Sequence, residues 1–208
     1  MNLILIRHGE TEWNRIGRCQ GVADIALNQN GKKQIKELAS SLKAESISAV
    51  YSSDLKRALE TAREIASHHK LTVNVEKDLR EMDQGELEGL KFQEIRERYD
   101  HVLKEWRESP ETLKLPKGES LTELQERALR VFNKILARHS GETVVTVSHN
   151  LTITTLLCKF TGVGLKGFRN FNLQAACKNL IVCREDGIEI EVLNDVSHLS
   201  PMESLPDF

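Results

Sequence analysis

Thr143-Val144-Val145-Thr146-Val147-Ser148-His149-Asn150 holds the clearest fold signal in the chain. Five β-branched residues in a row favour a buried strand, and the run stops at polar residues. Beyond it, Ile153, Leu156, Leu157 and Phe160 recur at helical spacing, so a strand passes through a short polar turn into a helix. The same succession occurs twice earlier. Leu3 to Ile6 is a continuous apolar run ending in Arg7-His8-Gly9-Glu10-Thr11. A helix follows over about 28–43, with Ile35, Leu38, Ala39 and Leu42 on one face. Ile47 to Tyr51 reads as a second strand. Ser52 and Ser53 after it suit a helix N-cap, and Ala58, Leu59, Ala62, Ile65 and Ala66 mark the helix. Leu71 to Val75 is a weaker third strand. Near the end of the sequence, Lys178 to Cys183 and Ile188 to Leu193 flank Glu185-Asp186-Gly187, and Asp-Gly between strands signals a hairpin.

Strands alternating with helices predict the α/β class, here a three-layer α/β/α arrangement. The sheet is expected to be mixed, mostly parallel, with one antiparallel edge strand. After the third strand the pattern changes. A loop from Leu79 to Leu90 is rich in carboxylates, and Phe92, Ile95, Tyr99, Val102, Leu103 and Trp106 then mark an amphipathic helix. Pro110, Pro116 and Gly118 break it from a further helix over about 120–139. The stretch of about 92–139 is therefore expected as a helical insertion inside a single domain spanning 1–208. The last residues, about 197–208, show little periodicity and are expected to form a loosely ordered tail.

Composition narrows the function. Of 208 residues, 29 are Lys or Arg and 31 are Asp or Glu, for a net charge of −2. That balance argues against a general nucleic-acid binder, which needs a basic surplus. No segment approaches the ~18 apolar residues of a membrane span, and the N-terminal run is too short for a signal-peptide core. Cys19, Cys158, Cys177 and Cys183 show no C-x-x-C spacing. Free thiols in a chain of this size suit a reducing compartment, so a cytoplasmic location is expected. A homodimer through an edge strand or helix face is compatible with the sequence, which identifies no interface residue.

In open α/β sheets, ligands bind beyond the carboxyl ends of the strands. Arg7-His8, Ser52-Ser53-Asp54-Leu55-Lys56-Arg57 and Ser148-His149-Asn150 all fall there. Two guanidiniums and two imidazoles on one rim would repel one another if empty, and they suit a dianion. Arginine matches phosphate oxygens in pairs, and neutral histidine can attack phosphorus. A leaving alkoxide needs a proton, for which Glu81, Asp83, Glu86 and Glu88 are candidates by position. The remaining histidines, at 68, 69, 101, 139 and 198, show no metal-ligand spacing and read as solvated or tail residues. Gly162-Val163-Gly164-Leu165-Lys166-Gly167 spells a dinucleotide-binding pattern but follows a helix instead of a strand, so it reads as a helix-ending loop.

Leu5-Ile6-Arg7-His8-Gly9-Glu10-Thr11 resembles the signature of the histidine phosphatase superfamily, also called phosphoglycerate-mutase-like. The match continues in order through Asn14, Gln20-Gly21, Asp24, Tyr51 to Ala58, Leu79-Arg80-Glu81-Met82, Glu88-Gly89, Gly118-Glu119-Ser120 and Val147-Ser148-His149. It spans about residues 2–196. The resemblance implies a phosphoric monoester hydrolase of the histidine acid phosphatase type, with no metal or other cofactor. It implies His8 as nucleophile, Arg7, Arg57 and His149 as holders of the phosphoryl oxygens, and Glu81 as general acid and base. Asn14, Gln20, Gly21 and the Asn150 backbone would line the substrate side. Cys19 and Met82 would add weakly polar surface there, while Lys91, Lys104 and Arg107 read as solvated. The segment from Tyr99 to Gly118 lacks the paired arginines of phosphoglycerate mutases, which favours the short phosphatase branch. The partner implied is a small-molecule phosphate monoester, with broad-specificity, phosphoserine and α-ribazole phosphatases as models. Mutase-type transfer and a non-catalytic phosphate-binding module are the alternatives.

Overall fold

The computed structural model describes residues 1–201. Among them, six strands form one sheet: β1 (Asn2–Arg7), β2 (Ile47–Ser52), β3 (Val73–Val75), β4 (Thr143–Ser148), β5 (Lys178–Arg184) and β6 (Gly187–Asp195). Their order is β3-β2-β4-β1-β5-β6. The first four are mutually parallel, and the β5–β6 hairpin adds the antiparallel edge pair beside β1. The α/β class and the mixed, mostly parallel sheet agree with the sequence reading.

Alternation along the strands builds two cores. Leu3 and Leu5 of β1 pack with Ala128, Phe132 and Ile135 of α6 (Leu121–Arg138) and with Ile153 and Leu157 of α7 (Asn150–Thr161). Ile4 and Ile6 face the other way. They pack with Leu38 and Ala39 of α2 (Gln29–Ser41) and with Ala58, Ala62 and Ile65 of α3 (Lys56–His69). Two short helices, α1 (Glu12–Arg15) and α4 (Phe92–Arg98), and then α5 (Asp100–Glu108) complete the α-helices among the described residues, with 3-10 turns at Lys77–Leu79, Gly85–Leu87 and Leu165–Asn170.

Details depart from the sequence reading. The expected helix from Phe92 to Trp106 breaks at Tyr99, which leaves helical geometry and reaches Glu86 with its hydroxyl at 3.2 Å. The 92–139 stretch has two parts: α6 belongs to the layer covering the sheet, while α4 and α5 cover a third apolar cluster around Met82, Leu87, Leu113 and Leu124. Ser52 and Ser53 do not cap α3. Leu55 occupies the N-cap position without a side-chain bond, because both hydroxyls point elsewhere. Gly162 ends α7 in the left-handed conformation, so the glycine-rich run is a helix end, as its position in the sequence indicated. Val196 to Pro201 runs beside α2, where Leu199 packs on the core and Ser200 Oγ donates to Glu37 at 2.7 Å. The rest of the expected tail, 202–208, lies outside the described residues.

Candidate active site

The carboxyl ends of β1, β2 and β4 converge on one point. His8 follows β1 and is 2% exposed. Its Nδ1 lies 2.6 Å from the Gly9 carbonyl, which can only accept, so Nδ1 carries the proton and Nε2 keeps its lone pair. Arg57, one residue into α3, is fully buried. Its Nε–H donates to His8 Nε2 at 3.2 Å and to His149 Nδ1 at 3.3 Å. Its other nitrogens donate to Ala23 O and Gly21 O, both at 2.7 Å, tying the 20–24 loop over the site. His149 follows β4, and its Nε2 meets Ser53 Oγ at 2.7 Å. Because Nδ1 accepts from Arg57, the Nε2–H donates to Ser53. The two imidazole centroids are 5.0 Å apart.

Arg7 ends β1 and is tied by one nitrogen to Leu173 O. Its Nε is buried with no partner among the described residues. Arg7 and His8 open into a cavity of about 330 Å³. Glu81 and Asn150 line it as well, with Trp106 and Phe168 as aromatic wall. A buried unpaired guanidinium nitrogen beside a second buried arginine suits an anion with several oxygens.

Glu81 is 8% exposed and is held from two sides. Its side chain accepts from the backbone N–H groups of Met82, Leu151 and Thr152 at 2.9, 3.2 and 3.3 Å. Its backbone is gripped by Arg127 of α6. That guanidinium donates to Asp78 O, Arg80 O and Glu81 O at 2.7, 2.6 and 2.8 Å, and forms a fork with the Glu119 carboxylate at 2.7 and 2.8 Å. Arg80 pairs with Asp54 through two bonds of 2.6 Å, joining the same loop to the end of β2. Below Arg127, Glu119 N donates to Asp83 O and Asp83 N to Glu119, each at 2.9 Å. The two loop segments there run so close that a Cβ on Gly118 would lie 2.4 Å from Asp83 O.

Burial dominates the electrostatics. It pushes both His8 and His149 well below the ordinary histidine value, and the neighbouring arginines push the same way. Both rings are therefore neutral, consistent with the shared Arg57 N–H. Burial also lowers Arg57 to about 10, opposed by Glu81, Asp24 and Glu88, so it remains a cation at neutral pH. Arg7 is lowered by burial in the same way, against the pull of Glu81.

The other residues singled out in the sequence fall as follows. Asn14, Gln20 and Gly21 line the cavity. Thr11 binds the Asn14 and Gln20 side-chain oxygens at 3.0 and 2.6 Å. Cys19 is also on the wall, its thiol pushed up to about 12 by burial. Met82 is fully buried in the third cluster and presents no surface to the cavity. Lys91, Lys104 and Arg107 are exposed outside it. Asp83 accepts from Gly85 N at 2.9 Å, Glu86 pairs with Lys117, and Glu88 accepts from Val22 N at 2.6 Å. Burial raises Glu88, yet it does not line the cavity. His139, read as solvated, instead binds the Tyr51 hydroxyl at 2.9 Å. Ser53, Arg127 and Phe168 had no site role in the sequence reading, whereas Trp106 lies in the 92–118 stretch that the sequence reading took mainly as core packing and as a candidate wall of the site. Only Ser53 lay inside a motif already noted. Among the described residues, no three His, Cys, Asp or Glu side chains group to hold a metal ion, and no helix is long and apolar enough to cross a membrane.

Comparison with known proteins places this geometry in a family. The model of the histidine phosphatase superfamily (branch 1) matches residues 3–196. Phosphoserine phosphatase 1 of Hydrogenobacter thermophilus is 38% identical over 96% of this chain and 94% of its own length. Phosphoglycerate mutase-like protein 4 of Arabidopsis thaliana is 36% identical, covering 95% of this chain and 86% of that protein. The structure of Bacillus stearothermophilus YhfR superposes with a TM-score of 0.89 at 31% identity, covering 95% of this chain and 98% of that one. The matched family model spans every strand and helix around the cavity, and the chain belongs to the histidine phosphatase superfamily (branch 1) as a phosphoric monoester hydrolase.

Proposed function

We propose that the enzyme hydrolyses a small phosphate monoester, O-phosphoserine in the first instance, through a phosphohistidine formed on His8. The observation that carries this reading is the fixed tautomer of His8. The Gly9 carbonyl holds the proton on Nδ1, so the lone pair sits on Nε2, in the cavity shared with Arg7. The phosphoryl oxygens take the donors of Arg7 and Arg57, and His149 adds another once protonated. His8 Nε2 attacks phosphorus, and the P–O ester bond breaks with its electron pair on the leaving oxygen. Glu81 in its acid form protonates that oxygen. The resulting carboxylate takes a proton from water as the water oxygen attacks phosphorus. The P–N bond breaks, phosphate leaves, and His8 is neutral again. The Gly9 carbonyl steadies the ring while it bears positive charge. Asn14, Gln20, Gly21 and Asn150 orient the rest of the substrate. The name borne by the Hydrogenobacter relative supports phosphoserine as the first choice.

Phosphate release from O-phosphoserine and p-nitrophenyl phosphate, measured with a chelator present, tests the reading. Base-stable, acid-labile labelling of the protein from radiolabelled substrate is expected, and His8→Ala should lose both label and turnover. Persistent turnover in His8→Ala would remove His8 as nucleophile. Transfer of the label to a phosphoglycerate faster than to water would assign a mutase instead.

A further inference from the structure

The peptide unit joining Gly9 to Glu10 is bonded at both ends. Its carbonyl accepts from His8 Nδ1 at 2.6 Å, and its N–H donates to Gln34 Oε1 at 2.9 Å. A backbone carbonyl only accepts and a backbone N–H only donates, so it is the amide oxygen of Gln34, and not its nitrogen, that meets Glu10. The adjoining groups are fixed by other residues. Gly9 N donates to Thr61 Oγ1 at 3.3 Å, and Glu10 O accepts from Asn28 N at 3.0 Å. The Glu10 carboxylate accepts from the Asn28 and Asn30 side chains at 2.7 and 3.2 Å. Gln34 thus holds the N–H of the one peptide whose carbonyl anchors the His8 ring.

Helix α2 is placed for this contact. A Cβ on Gly31 would lie 2.1 Å from Glu10 O, and one on Gly9 would lie 2.8 Å from Gly31 O, so the helix and the turn after β1 meet backbone to backbone. Gln34 stands three residues beyond Gly31, on the same face of the helix. It lines a separate cavity of about 670 Å³ with Glu10 and Lys33, and not the one that holds His8. Its route to the phosphoryl site is the peptide itself. A carbonyl accepts more strongly when the N–H of its own peptide is also bonded, because each bond polarises the other.

We propose that Gln34 is a positioning residue for the nucleophile, holding the His8 ring in its attacking orientation through the Gly9–Glu10 peptide. The proposal rests on the reading of His8 as nucleophile. Arg57 and the Gly9 carbonyl agree on which ring nitrogen is free, and Gln34 steadies where that ring points. Without the amide oxygen the peptide is freer to rotate, since Gly9 has no Cβ to oppose it, and the Nδ1 bond loosens.

Two variants test this. Gln34→Met keeps the length of the side chain and removes the acceptor, and Gln34→Glu keeps an acceptor oxygen. In Gln34→Met, kcat/KM for p-nitrophenyl phosphate should fall about tenfold, while the inhibition constant of inorganic phosphate stays within about twofold. Gln34→Glu should retain a rate close to that of the unaltered enzyme. Proton spectra of protein carrying nitrogen-15 histidine, with the His8 signal identified by its loss in His8→Ala, add a second readout. The Nδ1 proton should move to higher field and exchange faster with water in Gln34→Met, and not in Gln34→Glu. An unchanged kcat/KM or an unchanged Nδ1 proton in Gln34→Met, an equal loss in Gln34→Glu, or a phosphate affinity that falls in step with the rate would each overturn the proposal. So would a Gln34→Met chain that does not fold, which would assign Gln34 to the fold. The Nδ1 proton is read without turnover, so it judges the positioning separately, whereas labelling of the unaltered enzyme judges His8 as nucleophile.

Discussion

The ends of β1 and β4 each present a buried histidine, and they anchor it in opposite ways. His8 is bound through Nδ1 to the carbonyl of its own neighbour, Gly9, an acceptor and nothing else. His149 is bound through Nε2 to the hydroxyl of Ser53, carried in from the end of another strand. A carbonyl permits one tautomer. A hydroxyl can accept or donate, so Ser53 by itself leaves either tautomer open, and at His149 the Arg57 N–H on Nδ1 selects the one with the proton on Nε2. One ring has its tautomer set by its own chain neighbour, the other by a guanidinium from across the sheet. Both meet the same Arg57 N–H, so the difference lies in the far side of each ring.

Breaking the fixed side of this pair should cost most. His8→Ala is expected to lower turnover by about 10³–10⁴-fold or more, with substrate still bound, as steady-state rates and calorimetry together would show. Loss of the second ring, in His149→Ala, removes one charge-stabilising donor and should lower kcat by about 10²–10³-fold. A residual rate close to wild type would remove His149 from the transition state.

Arg127→Lys leaves both histidines in place and releases the backbone that presents Glu81. Lysine keeps the charge but not the fork, and we expect kcat to fall about tenfold or more with KM little changed, since a general acid is worth 10²–10⁴-fold. The effect should be larger for poor leaving groups than for p-nitrophenol, which needs no proton. If both substrates lose equally, Arg127 supports the fold and not the acid. Ser53→Ala takes away only the anchor of His149. Up to about tenfold in kcat is expected, within the worth of one hydrogen bond.

The gentlest change is of pH. Both histidines have depressed values in the folded state, so the unfolded chain takes up protons first as pH falls below about 6.5. Stability therefore drops on acidification, by about 0.7 kcal/mol per histidine between pH 7 and 6. Urea unfolding of the native protein and of His8→Gln/His149→Gln at the two values checks this. The double variant should lose less, and an equal loss would place the sensitivity elsewhere.

Much of this was legible in the sequence because it is local. Each strand end writes its polar residues directly after an apolar run, as in Ile6-Arg7-His8 and Val147-Ser148-His149. The parallel sheet then brings those ends together. The proton donor was less legible. Glu81, Asp83, Glu86 and Glu88 share a short loop, and residue type does not separate them. Only the folded loop shows that Asp83 and Glu88 bind backbone amides and Glu86 pairs with Lys117, while Glu81 alone of the four lines the cavity. Arg127 was not legible at all. On α6 it looks like any arginine on the polar face of an amphipathic helix, and its partners from Asp78 to Glu81 lie more than 40 residues away. Phe168 was hidden in a glycine-rich stretch whose only local message is that a helix has ended.

The joint between Asp83 and Glu119 has a consequence for how such enzymes diverge. The chain between those residues departs from and rejoins the sheet-bearing body at one doorway, closed by one backbone bond and one from the Asp83 N–H to the Glu119 carboxylate, and roofed by Arg127. The traffic through that doorway carries Trp106 to the cavity wall, whereas Glu81 stands just upstream of it. A lineage can lengthen, shorten or exchange the whole cassette, and so trade one clientele of phosphate esters for another, without disturbing the residue proposed to deliver the proton.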